Sequence, residues 1–311
     1  MPRMIDAALP YLRCPVCAGP LRRAAPGALR CPHGHSFDLA RQGYASLTAG
    51  RSPHPGDSAE MVADREAFLA AGHYDFIADA LAAAAETATA GTAQAGNVGA
   101  ETATAGTTGA RKAGTGHPRA EPGARVGARL VVDAGTGTGR YLSAVLERLP
   151  AATGLGLDVS KPALRRAARA HPRAAAVRAD LWRPLPLADD AADLVLDVFA
   201  PRNGPEFRRV LRPGGALLVV TPAPDHLAEL VKEYGLVQVD PDKAERVAGS
   251  LSADFVEVRR QVLRRSLRLS GDEARTLIGM TPSARHGTPD ALPGGDVSVT
   301  AAVELTVYRP S

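Results

Sequence analysis

Residues 133–139 read Asp-Ala-Gly-Thr-Gly-Thr-Gly, an acid two positions ahead of three alternating glycines. Glycines so placed let a backbone turn tightly and approach a ligand closely, and a helix starting just beyond offers free N–H groups. The spacing G-x-G-x-G is not the G-x-G-x-x-G of a dinucleotide turn, and no Lys-Ser/Thr of a P-loop follows, so nothing here is built to cradle a pyrophosphate. Asp158 ends the next apolar run, where an acid can take two ribose hydroxyls. Asp180 ends the third, where a polar side chain can meet an adenine amino group. A second constellation lies near the N-terminus. Cys14, Cys17, Cys31 and His35 give C-x2-C-x13-C-x3-H, two pairs of ligands on two knuckles that can close a tetrahedron around zinc. With every position filled by protein, such a zinc would be structural. His33 is a rival for the fourth place.

The elements that must position these groups are legible in outline. Residues 58–85 carry Met61, Phe68, Leu69, Ile77 and Leu81 at helical spacing behind Ser58 as an N-cap, which predicts one helix. From 86 to 127 that pattern ends: the stretch is Ala, Gly and Thr, and ETATAGT occurs at 86–92 and again at 101–107. Without large apolar residues it predicts a disordered insert. From 129 onward, apolar runs at 129–133, 154–159, 175–180, 192–199 and 215–221 alternate with helical patterns at 141–149 and 162–170, which predicts a parallel α/β sheet. The runs 254–269 and 296–308 predict additional antiparallel strands. The domain reading is therefore 1–49 for a metal-binding module, 50–85 for a helical connector, 86–127 for the insert and 128–311 for the sheet domain.

A chain of 311 residues with 45% hydrophobic content can bury a proper core. Its three cysteines all fall in the zinc pattern, which excludes a disulfide-stapled scaffold. No apolar run approaches the ~20 residues of a membrane span, and residues 1–12 carry no secretory signature, so a cytoplasmic setting is expected. The 37 basic residues outnumber the 33 acidic ones, giving +4. Only Lys112, Lys161, Lys232 and Lys243 are lysines, a bias that a GC-rich genome would also produce.

The acid before the glycines, a ribose acid and an adenine acid on three successive strands resemble the S-adenosylmethionine site of class I methyltransferases; a nucleotide-binding sheet of another kind is the competing reading. Further stretches sharpen the resemblance: 36–47 after the cysteine cluster, 55–61 (Pro-Gly-Asp-Ser-Ala-Glu-Met), 65–74 (ending Ala-Gly-His-Tyr), 156–163, and Gly-Asp-Glu-Ala from 271 with Met-Thr-Pro to 282. With the zinc pattern, they resemble the 23S rRNA guanine-N1-methyltransferases, and within them the branch tied to tylosin-type macrolide resistance in actinomycetes. The resemblance spans the chain except 86–127.

It implies a small zinc module that reads RNA, a Rossmann-like methyltransferase domain and a homodimer around a hairpin of 23S rRNA domain II (helix 35), with the guanine at position 748 or 745 as the target. It further implies that Cys14, Cys17, Cys31 and His35 hold the metal. Tyr74, Gly137, Thr138 and His226 would contact the cofactor, beside Asp133, Gly135, Gly139, Asp158 and Asp180 from the residue reading. Thr136 stands where the family commonly has cysteine, and Ser-Ala-Arg-His (283–286) where it often has aromatics. Guanine N1 carries a proton on the pairing edge, so the base must be unpaired and the proton must leave. Asp57 and Asp197 are the carboxylates to weigh as its acceptor. Arg22, Arg23, Arg30, Arg41 and Arg51 place positive charge around the zinc module, with Phe37 and Tyr44 among them as either RNA contacts or module core. A small-molecule methyltransferase of a secondary-metabolite pathway is the alternative, since a fold alone does not fix a substrate.

Overall fold

The computed structural model of the chain describes residues 4–24, 27–50, 56–98, 129–236, 249–281, 283–284 and 294–311. A helical turn, α1 (Ile5–Ala8), precedes three short strands, β1 (Arg22–Arg23), β2 (Ala28–Arg30) and β3 (Ser36–Asp38), which form an antiparallel sheet. Such a sheet is too small to hold a core alone. Leu29, Phe37, Cys14 and Cys31, with Ile5 and Leu12 of the same module, instead join one continuous apolar cluster with Leu130, Val132 and Val195 of the main domain. Phe37 and Tyr44 are both buried, so these aromatics serve packing, whereas Arg22, Arg30 and Arg41 are exposed. Arg51 lies outside the described residues.

The main sheet holds eight strands. Five match the expected apolar runs: β5 (Arg129–Ala134), β6 (Ala152–Asp158), β7 (Ala174–Arg178), β8 (Ala192–Val198) and β9 (Leu211–Pro222). All five lie parallel, with β5 between β6 and β8. β10 (Phe255–Leu269) and β11 (Val297–Pro310) add the antiparallel end. At the opposite edge β4 (Ala45–Ser46), which belongs to the N-terminal module, pairs parallel with β7, so the module's own backbone caps the sheet. The order is β10-β11-β9-β8-β5-β6-β7-β4. Along β5 the period of two divides the layers: Leu130, Val132 and Ala134 face the cluster shared with the zinc module, and Val131 faces the other. The connecting helices are α4 (Arg140–Arg148), α5 (Lys161–Ala170), α6 (Gly204–Val210), α7 (Ala228–Tyr234) and α8 (Gly271–Gly279).

Two expectations are corrected. The single helix over 58–85 is two, α2 (Ala59–Ala70) and α3 (Asp75–Val98). Gly72 lies between them at φ +83°, a left-handed backbone that ends a helix and that glycine adopts at no steric cost. Second, α3 runs through residues 86–98, so the first part of the Ala/Gly/Thr stretch is helix. The small residues Ala85, Ala88 and Thr89 are buried, and Arg309 donates to the Ala88 carbonyl at 2.9 Å. Residues 99–127 lie outside the described residues.

This boundary is testable. Replacing residues 100–127 with a Gly/Ser linker of about ten residues should leave the melting temperature within about 3 °C of the parent. A deletion beginning at Ala88 should cost more than about 2 kcal/mol, because it removes buried helix as well. Equal melting temperatures for the two deletions would contradict the packing of α3.

Candidate functional site

The glycine turn sits at the carboxyl end of β5, in the crevice that opens toward β8 because the strand order reverses at β5. It is pinned to the neighbouring strand: the N–H groups of Gly135 and Thr136 both donate to the Leu157 carbonyl, at 2.8 and 2.9 Å. Gly135 has φ +80°, and a Cβ there would stand 2.4 Å from that of Ala200. Gly139, at φ +85°, starts α4 and lies so close to α5 that a Cβ would meet Ala170 at 2.9 Å. Both glycines are therefore required by close approach as well as by backbone shape. Thr136, buried, donates its hydroxyl to Asp133 Oδ2 at 2.7 Å. The cysteine-to-threonine departure thus has a role: it gives the buried acid a partner.

Asp158 ends β6, accepting from the N–H of Gly137 at 2.9 Å on one oxygen and from that of Ser160 at 2.8 Å on the other. Asp180 is buried beyond β7 and accepts from Trp182 N–H at 3.1 Å. Burial pushes the Asp133 carboxyl up to about 7, with Asp158 adding a smaller like-charge push against the Thr136 hydrogen bond. Burial also raises Asp158, against its two backbone donors. A cationic guest nearby would favour the ionised form of both acids, and each carboxylate can accept from hydroxyl or ammonium hydrogens. That fits the sulfonium, ammonium and ribose of S-adenosylmethionine.

The turn at Gly72 aims Tyr74 into the interior, where Phe68 meets it edge-on at 5.0 Å. Its hydroxyl lies 3.4 Å from His226 Nε2, and His226 Nδ1 accepts from the N–H of Ala302 at 3.2 Å. With Nδ1 accepting, the neutral ring carries its proton on Nε2 and donates to the Tyr74 oxygen. The sequence-derived pair Tyr74 and His226 is thus brought together across 152 residues. Thr138 lies half-buried in the glycine turn.

Asp57 and Asp197, weighed as proton acceptors, both hold arginines. Asp57 is paired with Arg65, and its carbonyl accepts from the Ser160 hydroxyl at 2.8 Å. Asp197, wholly buried, faces Arg202 at 3.8 Å. A guanidinium thus occupies the neighbourhood of each carboxylate. Nothing in the sequence singles out Arg65. Its guanidinium donates to the Met280 carbonyl at 3.1 Å and overlies Gly137, so it brings positive charge to the turn. Only the repeated pairing of α2 residues with the sheet domain reveals it.

In the N-terminal module the four ligand atoms of Cys14, Cys17, Cys31 and His35 lie within 4.8 Å of one another. Cys17 Sγ is 3.6 Å from Cys31 Sγ, and His35 Nδ1 is 3.6 and 3.3 Å from the sulfurs of Cys14 and Cys31. A tetrahedral zinc at ordinary bond lengths has ligand–ligand edges of about 3.5–3.8 Å, so the residues fit the ion. His33, the rival ligand, is outside this cluster.

A family model described as "RlmA, N-terminal", a zinc ribbon, matches residues 12–48, and one described as a methyltransferase domain matches residues 131–215. A Micromonospora griseorubida protein named as a 23S rRNA (guanine-N(1)-)-methyltransferase is 54% identical, covering 97% of this chain and 98% of that protein. The 23S rRNA (guanine(748)-N(1))-methyltransferase of Streptomyces fradiae is 46% identical over 96% of this chain and 97% of its own length. A Bacillus subtilis protein of the same kind is 28% identical, covering 74% and 70%.

The raised Asp133 carboxyl has a signature. The folded protein keeps its proton up to about pH 7, whereas the unfolded chain releases it near pH 4 (roughly the ordinary carboxylate value). Asp133 therefore lowers stability progressively as pH rises between those values. Without ligand, Asp133→Asn should gain on the parent in melting temperature by a few degrees from pH 5 to pH 8. A difference that stays constant across this range would contradict the assignment.

Proposed function

We propose, since this chain belongs to the 23S rRNA (guanine-N1)-methyltransferases, that it methylates N1 of guanine 748, the position named for the Streptomyces fradiae relative, in a domain II hairpin. The modification would shield the ribosome from tylosin-type macrolides. The observation that carries the reading is the joining, in one continuous core, of a Cys3His ribbon to an acid-flanked glycine turn. S-adenosylmethionine supplies a methyl group on a cationic sulfur, and the zinc is structural.

Each residue then has a task. Cys14, Cys17, Cys31 and His35 hold zinc and fold the ribbon. Asp158 takes the ribose hydroxyls and Asp180 the adenine amino group. Gly135, Gly137, Thr138 and Gly139 let the backbone lie against the cofactor. Asp133 faces its ammonium end, while Arg65 over Gly137 offers charge to its carboxylate. His226 holds the Tyr74 oxygen, leaving the phenolic hydrogen to be donated toward the cofactor. Displacement at a sulfonium chiefly needs alignment, and these contacts supply it. The guanine must leave its stack to present N1; as the N1–CH3 bond forms and the S–CH3 bond breaks, S-adenosylhomocysteine is released and the N1 proton passes to water.

Exposed Arg22, Arg30 and Arg41 on the ribbon suit hairpin phosphates, since RNA helices are read by shape and backbone. Trp182, 58% exposed, stands on the 180–188 segment that docks the module through Arg13 N–H to the Pro186 carbonyl and Ala188 N–H to the Tyr11 carbonyl. It adds a stacking surface for an unpaired base. A homodimer working in the cytoplasm completes the reading; among the described residues no helix is long and apolar enough to cross a membrane.

Purified protein given labelled S-adenosylmethionine and an unmodified domain II hairpin should yield 1-methylguanosine at one loop guanine, read by nucleoside mass spectrometry. Transfer to a different RNA nucleoside, or to small-molecule acceptors alone, would overturn the reading in favour of the alternative. The protein should also carry about one zinc per chain, and Cys31→Ser should lose it. A metal-free wild type that melts cooperatively would contradict the ribbon's ligand set.

A further inference from the structure

Phe199 follows β8 at its carboxyl end and has φ +54°. A bulky side chain in the left-handed region is an outlier that costs on the order of 1–3 kcal/mol and persists only where its surroundings enforce it. The enforcement is visible on both sides. The Phe199 N–H still donates to the Val220 carbonyl at 3.0 Å. Just beyond it, Ala200 is wedged against Gly135, Arg202 reaches back to Asp197, and Asn203 donates to the Leu181 carbonyl at 2.8 Å. The outcome is a large apolar ring left 42% exposed. The ring lies 6.1 Å from that of His226, which is 6.2 Å from that of Tyr74. The three rings thus follow one another in space, and the loop that carries Phe199 abuts the glycine turn through Ala200.

We propose that Phe199 is the stacking surface for the acceptor base: the extruded guanine lies on its ring and so brings N1 into line with the methyl group. The proposal rests on the methyltransferase reading above and deepens it by naming what holds the target. An unpaired base exposes two π faces, and aromatic stacking is how proteins hold such bases. The strained backbone explains why the ring stands half-exposed near the glycine turn instead of joining the core, and the neighbouring His226 ring offers the base a second flat surface. Asp197 and Arg202 act as positioning residues, since their pairing closes the loop that presents the ring.

The test uses variants that tolerate this backbone. Phe199→Gly removes the ring and suits φ > 0, so the variant should melt at or above the parent temperature. It should bind S-adenosylmethionine within about twofold of the parent by calorimetry. Its single-turnover methylation of the hairpin should fall about 10- to 100-fold, the worth of one aromatic stack. Phe199→Tyr should restore the rate to within about threefold. A glycine variant that methylates the hairpin within twofold of the parent, or one whose lost rate follows lost cofactor binding, would overturn the proposal. A parent protein that forms no 1-methylguanosine would instead remove the underlying reading, and the proposal with it.

Discussion

Two carboxylates compressed together at the ends of adjacent strands set the terms for this molecule. Asp133 and Asp158 stand on β5 and β6, and burial raises the hold of both on a proton, with Asp158 adding a like-charge push on Asp133. Removing acids from water is costly unless partners are supplied. The chain supplies them locally, through the Thr136 hydroxyl and the N–H groups of Gly137 and Ser160. That requirement shapes everything nearby. The turn must be glycine-rich so that the Gly137 N–H can point at Asp158, and β6 must carry Gly156 because a Cβ there would strike Thr136 at 2.7 Å. The remaining electrostatic deficit is what a positively charged guest relieves.

Around this centre the N-terminal third works as a brace rather than an appendage. Gly56 approaches Ser160 so closely that a Cβ would stand 2.7 Å from its backbone, and the Asp57 carbonyl accepts the Ser160 hydroxyl. α2 then lies across the turn with Arg65, while α8 is held to the same region by Glu273 through His73 at 2.9 Å. The break at Gly72 separates α2 from α3 and points Tyr74 inward. The residues proposed to contact the cofactor thus come from segments on both sides of the sheet's first strand.

Much of this is legible in the sequence because it is written in short-range patterns. Strand lengths, the glycine spacing, and the two knuckles of the zinc cluster each fall within a few tens of residues. The helix over 58–85 reads as continuous because Ala-rich flanks keep helical spacing running across Gly72. The extension of α3 to Val98 is invisible for a different reason: Ala85, Ala88 and Thr89 pack closely by being small, and no hydropathy pattern marks a helix that buries only small side chains. Asp57 and Asp197 look like candidate bases because sequence shows acids and not the arginines beside them. The backbone of Phe199 has no signal at all, since its conformation is dictated by Gly135, Val220 and Leu181, which lie far from it in the chain.

The pairing of β4 with β7 carries a consequence for the life of the protein in a zinc-poor cell. β7 is the last strand the main domain itself contributes to the sheet, and its outer edge at Val177 and Arg178 is covered by Ala45 and Ser46, residues anchored by a ribbon that metal holds in shape. Were the ribbon to unravel, that edge would become a template on which another chain's strand can grow. Holding the ribbon in shape therefore also keeps that edge closed to other chains.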